Sequence, residues 1–233
     1  MACLTRPVRF TTGWRRLPRP GYRMDDGRSY TRFDVIRHGE HELGHVICGV
    51  TDPALSETGW QQLARQCRTL TDLGHDWDVV LTSPRKRCSQ FAHHFGESTG
   101  IECREHHGFA EVDFGAWEAL SFQQINERFP GQWQQWIGNP EISAPHGGES
   151  YGSFLSRVHE AMSEVIKAHR GKRILLFAHA GVMRAIFCST FDLKPSSLSL
   201  FSVPYACHSR ISVYHHADFA DWFQLDVHNS SGT

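Results

Sequence analysis

Three apolar runs, each breaking off into polar residues, set the rhythm of this chain. The first is Phe33-Asp34-Val35-Ile36, followed by Arg37-His38-Gly39-Glu40. The second is Trp77 to Thr82, which runs into Ser83-Pro84-Arg85-Lys86-Arg87. The third is Arg173 to Ala178, which ends in His179-Ala180-Gly181. Short runs rich in aliphatic and β-branched residues read as buried strands. Between them the apolar spacing shifts to three and four, the helix period. Ser56 is placed to cap a helix with the stripe Trp60, Leu63, Ala64, Cys67 and Leu70, closed by Gly74. Ser83 as cap and Pro84 at the first position are expected to open a second helix. Ile101 to Gly108 reads as a further short strand. Phe154, Leu155, Val158, Met162, Val165 and Ile166 stripe a long helix that Gly171 closes, and Val182 to Cys188 reads as another. Ile211 to Tyr214 and Trp222 to Val227 are expected as terminal strands.

Strands alternating with helices imply an α/β fold: three layers, α/β/α, with a mostly parallel central sheet and helices on both faces. Right-handed crossovers would bring the ends of the three strands to one edge, where ligands bind in open α/β sheets. Residues 24–233 read as a single domain with a small cap segment near 112–148, where Trp133 and Trp136 share a helix face. Residues 1–23 hold six Arg and no acid and show no apolar periodicity. They read as a disordered or mis-annotated extension, with Met24 as a natural start. An organellar transit peptide has a similar composition.

A length of 233 residues, 40% of them hydrophobic, suffices for one substantial core. The formal net charge of -1 gives no reason to expect nucleic acid or an anionic membrane as partner. No apolar run reaches the ~20 residues of a membrane span, and the N-terminus lacks a secretory core. Seven Cys without a C-x-x-C pair point to reduced thiols in a cytoplasmic protein. Cys3 and Arg9 match C-x₅-R, but with no strand before them the match reads as chance. His38, His41 and His45 fit no zinc spacing, so no metal is expected. The His pairs 93–94, 106–107 and 215–216 read as surface residues.

The strand ends carry the chemistry. Arg37 offers a planar fork for phosphate or carboxylate, and His38 a nucleophile or proton carrier. Arg85, Lys86 and Arg87 crowd a helix N-terminus, against its dipole, which calls for an anion there. Glu111 and Asp113 lie beside Phe114 and Trp117, an apolar setting that favours a protonated carboxyl. Two His, two Arg and an acid on one edge suit phosphoryl transfer.

These motifs resemble the histidine phosphatase superfamily, which includes cofactor-dependent phosphoglycerate mutases. Arg37-His38-Gly39-Glu40 looks like its signature, and the likeness runs over about residues 33–215. It implies His38 as the residue phosphorylated in the cycle, Arg37 and Arg87 as phosphate ligands, Glu111 as proton donor and His179 as second imidazole. It also implies substrate contacts at Gly49 and Ala180, and no cofactor. Gly49-x-x-Asp52-x-x-Leu55-Ser56, Asp113-Phe114-Gly115-x-Trp117-Glu118 and Gly147-Gly148-Glu149-Ser150 look most like α-ribazole-5′-phosphate phosphatases of cobalamin biosynthesis. The resemblance therefore implies a phosphomonoester hydrolase acting on a small-molecule phosphate, as a cytoplasmic monomer or homodimer without nucleic-acid or membrane partners. A mutase-type phosphotransferase and a non-catalytic phosphate-binding regulator are the alternatives. His41 stands where Thr or Ser is common, Gly44 where mutases place Asn, and Ala119 where Gly is usual.

Overall fold

In the computed structural model, residues 30–141, 144–216 and 220–230 are described. The expected extension at 1–23, with Cys3 and Arg9, and the start at Met24 lie outside the described residues. A strand buried on both faces must divide its side chains between two cores, and the central strands do so. β1 (Tyr30–Arg37) sends Phe33 and Val35 to one side and Ile36 to the other. β4 (Arg173–Ala178) splits Ile174, Leu176 and Ala178 from Leu175 and Phe177. β2 (Val79–Thr82) splits Val79 and Leu81 from Val80. The first core is closed by α5 (Tyr151–Ala168) and α6 (Ala180–Phe191), the second by α1 (Glu57–Asp72) and α2 (Lys86–Thr99). The result is the expected three-layer arrangement.

The sheet order is β3-β2-β4-β1-β5-β6, with β3 at Cys103–Glu105, β5 at His208–Tyr214 and β6 at Trp222–Ser230. The first four strands are mutually parallel. β5 pairs antiparallel with β1 and β6 with β5, so the C-terminal strands make the sheet mixed. Parallel pairing of β1, β4 and β2 puts Arg37, Ala178 and Thr82 at one edge, and the polar residues after each converge there.

Ser56 caps α1 as expected, its Oγ accepting from Gly59 N at 3.1 Å. The turn after β1 lies directly on this helix. A Cβ on Gly39 would strike the Gly59 backbone, and one on Gly59 would strike Glu40. Ser83 and Pro84 do not open α2. The helix begins at Lys86, with Arg85 in the cap position and no side-chain cap bond. Ser83 Oγ instead pairs with His179 Nε2 at 2.7 Å, and Asp52 Oδ1 takes the Lys86 amide at 2.8 Å. Only Cys103–Glu105 of the stretch 101–108 is strand, and a 3₁₀ turn follows at His107–Phe109. His215 is not on the surface: it is buried between Thr31 Oγ1 (2.6 Å) and Asp221 Oδ2 (3.0 Å).

Among its described residues the segment 112–148 holds a 3₁₀ turn at Gly115–Trp117 and two short α-helices, α3 (Phe122–Arg128) and α4 (Gln132–Gly138). Trp133 and Trp136 do share a face of α4. Their ring centroids lie 5.7 and 6.1 Å from that of fully buried Trp117, so this segment is an aromatic extension of the first core.

Candidate active site

His38 leaves β1 with its backbone still in the sheet, its N–H donating to Ala178 O at 2.9 Å. Its Nδ1 lies 2.7 Å from Gly39 O. A carbonyl only accepts, so Nδ1 carries the proton and Nε2 keeps the lone pair. Burial, reinforced by Arg37 and Arg87, holds the imidazole pKa well below its usual value. The ring is therefore neutral at neutral pH, with the Nε2 lone pair available. His179 follows β4 and is fully buried, its ring centroid 5.2 Å from that of His38. Burial and then Arg87 hold it neutral too. Cys88 Sγ lies 3.6 Å from His179 Nε2, but burial pushes its thiol pKa up, so it packs against the ring rather than competing as nucleophile.

Glu111 reaches the same edge from the loop before the cap. Its Oε2 accepts from Gly181 N at 3.0 Å, in the first turn of α6, and its Oε1 from Val112 N at 3.1 Å. A Cβ on Gly181 would run into this carboxyl, so only glycine allows the approach. Burial raises the pKa of Glu111 and outweighs the opposing backbone bonds and the two arginines. The carboxyl is thus biased toward the protonated form. Of the other nearby acids, Glu118 is committed elsewhere: it accepts from Gly49, Val50, Thr51 and Phe114 backbone N–H groups at 2.9 to 3.1 Å. Burial raises its pKa, but these bonds win and lower it.

Glu118 thereby shapes the loop that holds Arg87. The Arg87 guanidinium is fully buried and donates to Thr51 O (3.0 Å), Cys48 O (2.8 Å) and Gly49 O (3.3 Å). Gly49 was expected as a substrate contact; its amide is bound to Glu118 and its carbonyl to Arg87, so it supports the arginine. Ala180, the other expected contact, is half-buried at the start of α6, next to His179. Arg37 donates Nη1 to Val203 O at 2.7 Å, and its guanidinium sits 4.2 Å over the Tyr205 ring. The Nε atoms of Arg37 and Arg87 are buried without a partner.

Sequence reasoning missed three supports. Tyr205, from the turn before β5, packs on Arg37 with its ring 5.7 Å from that of His38. Arg157 on α5 bonds Glu149 with two nitrogens (3.1 and 2.7 Å) and Gly108 O and Ala110 O (3.0 and 2.9 Å), bracing the segment that carries Glu111. Neither residue has a motif around it, though Glu149 was singled out by resemblance. The third is Asp34, read only as a strand residue. It is fully buried and bonded by His208, Arg210 and Trp77. Asp34, His75 and His208 are close enough to share a cation, but Arg210 bonds both Asp34 and His75 and occupies that role.

Comparison with known proteins agrees with this geometry. The sequence profile of the histidine phosphatase superfamily (branch 1) matches residues 34–224. Phosphoserine phosphatase 1 of Hydrogenobacter thermophilus is 29% identical over 179 residues, 76% of this chain and 84% of that protein. The structure of mycobacterial glucosyl-3-phosphoglycerate phosphatase superposes with a TM-score of 0.76 at 26% identity, covering 86% of this chain and 99% of that one. The α-ribazole phosphatase of Shigella flexneri shares the fold, with a TM-score of 0.72 at 22% identity over 86% of this chain and 96% of its own.

Proposed function

This chain belongs to the histidine phosphatase superfamily, and from that premise we propose that it hydrolyses small-molecule phosphomonoesters through a phosphohistidine at His38. One observation carries the reading. The bond from Nδ1 to Gly39 O leaves Nε2 of a neutral His38 free, with the His179 ring 5.2 Å away (ring centroids) and with Arg37 and Arg87 close enough to act on it electrostatically. In the first step Nε2 bonds to phosphorus as the bond to the leaving oxygen breaks, and Glu111 gives that oxygen its proton. Arg37, Arg87 and His179 bear the charge on the non-bridging oxygens. In the second step Glu111, now a carboxylate, takes a proton from water as its oxygen attacks phosphorus. The N–P bond breaks and inorganic phosphate leaves.

Arg37 and Arg87 provide the positive charge that a metal provides in other phosphatases, and the neutral His179 adds a hydrogen-bond donor, so the reaction is written with no metal and no cofactor. The similar proteins act on different substrates: phosphoserine, glucosyl-3-phosphoglycerate and α-ribazole phosphate. We take α-ribazole 5′-phosphate as the leading candidate. Its support is that the three motifs behind the resemblance all brace the site here, through Asp52 on α2, Glu118 on loop 48–51 and Glu149 on Arg157. We place the protein in the cytoplasm, as monomer or homodimer, without nucleic-acid or membrane partners. Among the described residues no helix is long and apolar enough to cross a membrane.

The test is the leaving-group dependence of Glu111→Gln. An alkoxide needs a proton in the transition state and a nitrophenolate hardly does. In single-turnover release of the leaving group, which isolates the first step, the variant is expected to lose about 10²–10⁴-fold on an alkyl phosphate, the usual worth of a general acid, and much less on 4-nitrophenyl phosphate. Equal losses would remove Glu111 from the proton-donor role. Wild-type turnover is expected to persist in EDTA, and a loss restored by zinc or magnesium would refute the metal-free scheme.

A further inference from the structure

Three buried nitrogens around His38 lack a hydrogen-bond partner: Arg37 Nε, Arg87 Nε and His41 Nδ1. The proposed reaction gives the first two to the phosphoryl group and leaves His41 without a task. Its side chain is 4% exposed. Its backbone is held by an antiparallel bridge to Leu55. The ring centroid lies 6.1 Å from that of His38 and 6.3 Å from that of Tyr205, which meets it edge to face at 82°. Tyr205 in turn covers Arg37. His41 and Arg37 therefore share Tyr205 as a neighbour beside His38. The groups facing it are Arg87 from α2, Arg37 and His38 from the end of β1, Glu40 and His45 from its own loop, and Tyr205. Burial, then Arg87 and Arg37, push its pKa down to about 4, so the ring arrives neutral.

A buried polar nitrogen without a partner is costly, and native structures rarely keep one without cause. Between two arginines, the natural acceptor is an anion. Resting on the phosphohydrolase reading, we propose that His41 is a substrate-binding residue whose Nδ1–H donates to a non-bridging oxygen of the phosphoryl group. This contact adds a donor to those of Arg37, Arg87 and His179. It acts on the phosphoryl group and on product phosphate alike, whatever the leaving group.

The test uses the full chain with inorganic phosphate and orthovanadate as probes, comparing His41→Leu with His41→Asn. The Asn side-chain amide can place an N–H near that of Nδ1, whereas Leu fills the space without a donor. His41→Leu is expected to weaken phosphate and vanadate inhibition about 10- to 100-fold, the range for a hydrogen bond to a charged group. KM should rise with it. His41→Asn should recover most of that loss, which packing alone does not predict. Affinities for both anions within threefold of wild type in His41→Leu would overturn the contact, as would an Asn variant no better than Leu. If His41→Leu fails to fold, His41→Gln replaces it, because its longer side chain carries the donor past the Nδ1 position and should not rescue. Wild-type protein that binds neither anion would overturn the phosphohydrolase reading, and this contact with it.

Discussion

Two buried clusters of charge share β1, at Asp34 and at Arg37 with His38, and they are built in opposite ways. Around Asp34 every charge is answered. Arg210 donates Nε at 2.8 Å and Nη2 at 3.2 Å, His208 lies at 2.7 Å and Trp77 Nε1 donates at 2.8 Å. Burial alone would raise the Asp34 pKa, but His208 and Arg210 hold it far below the usual carboxylate range. At the strand end the balance is reversed. Arg37 has no ion-pair partner among the described residues, and Arg87 has only Asp52 at 3.8 Å. The acid that does sit there, Glu111, is biased toward its neutral form. Paired buried charge holds a structure in one arrangement, while unmatched buried charge awaits a ligand. The contrast separates a paired part of β1, which braces the fold, from an unmatched part, to which we assign the proposed chemistry.

The largest expected effect is at the unmatched cluster. His38→Ala removes the nucleophile and should cost on the order of 10⁴–10⁶-fold in turnover while the protein keeps its melting temperature. Steady-state assays beside a thermal melt check both halves. Substantial turnover in the variant would dissolve the contrast.

Stability should respond in opposite senses to pH at the two acids. Asp34→Asn leaves Arg210 and His208 without their carboxylate and should cost about 3–5 kcal/mol at neutral pH. The folded pKa of Asp34 lies below its unfolded value, so its contribution is present above about pH 4 and is lost as pH falls further. The deficit of Asp34→Asn in urea melts should therefore shrink in acid. Glu111 has a raised folded pKa, so its contribution is full below its unfolded value and is lost as pH rises. Relative to wild type, Glu111→Gln should gain stability between mildly acid and neutral pH. The same pH trend in both variants would contradict the division.

The smallest effect concerns the brace rather than either cluster. Ala119 has a left-handed backbone, φ 59°, directly after Glu118, and its N–H bonds Ile47 O at 2.8 Å. Ala119→Gly should relieve strain and stabilise by about 0.5–1 kcal/mol with little change in rate, measured by urea titration. A destabilised variant would mean that the turn is held without strain.

Much of this was legible in the sequence, and the rest was hidden for identifiable reasons. The runs at Val35, Val80 and Leu175 announce buried strands because burial on both faces leaves no room for polar alternation. The residues after them, Arg37, His38, Arg87 and His179, follow from chain direction alone. The α2 boundary was misplaced because Ser83 has a long-range partner in His179, and no local rule for caps registers a partner 96 residues away. His215 was misjudged, and the partners of Asp34 were missed, for the same reason, since Thr31, His208 and Arg210 meet them only once β5 pairs with β1. Tyr205 sits in an irregular turn with no periodicity to mark it. Ala119, by contrast, was visible as a departure from glycine, and its positive φ shows why glycine is usual there.

The most direct measurement is trapping of the enzyme by an alkaline denaturing quench during turnover of ³²P-labelled 4-nitrophenyl phosphate, with the labelled residue mapped. The predicted result is one acid-labile, base-stable label on Nε2 of His38, absent from His38→Ala and accumulating in Glu111→Gln, which still forms the label from this aryl ester but is slow in water attack. Turnover without any trapped label, or a label on another residue, would contradict the assignment of the unmatched cluster as the catalytic centre.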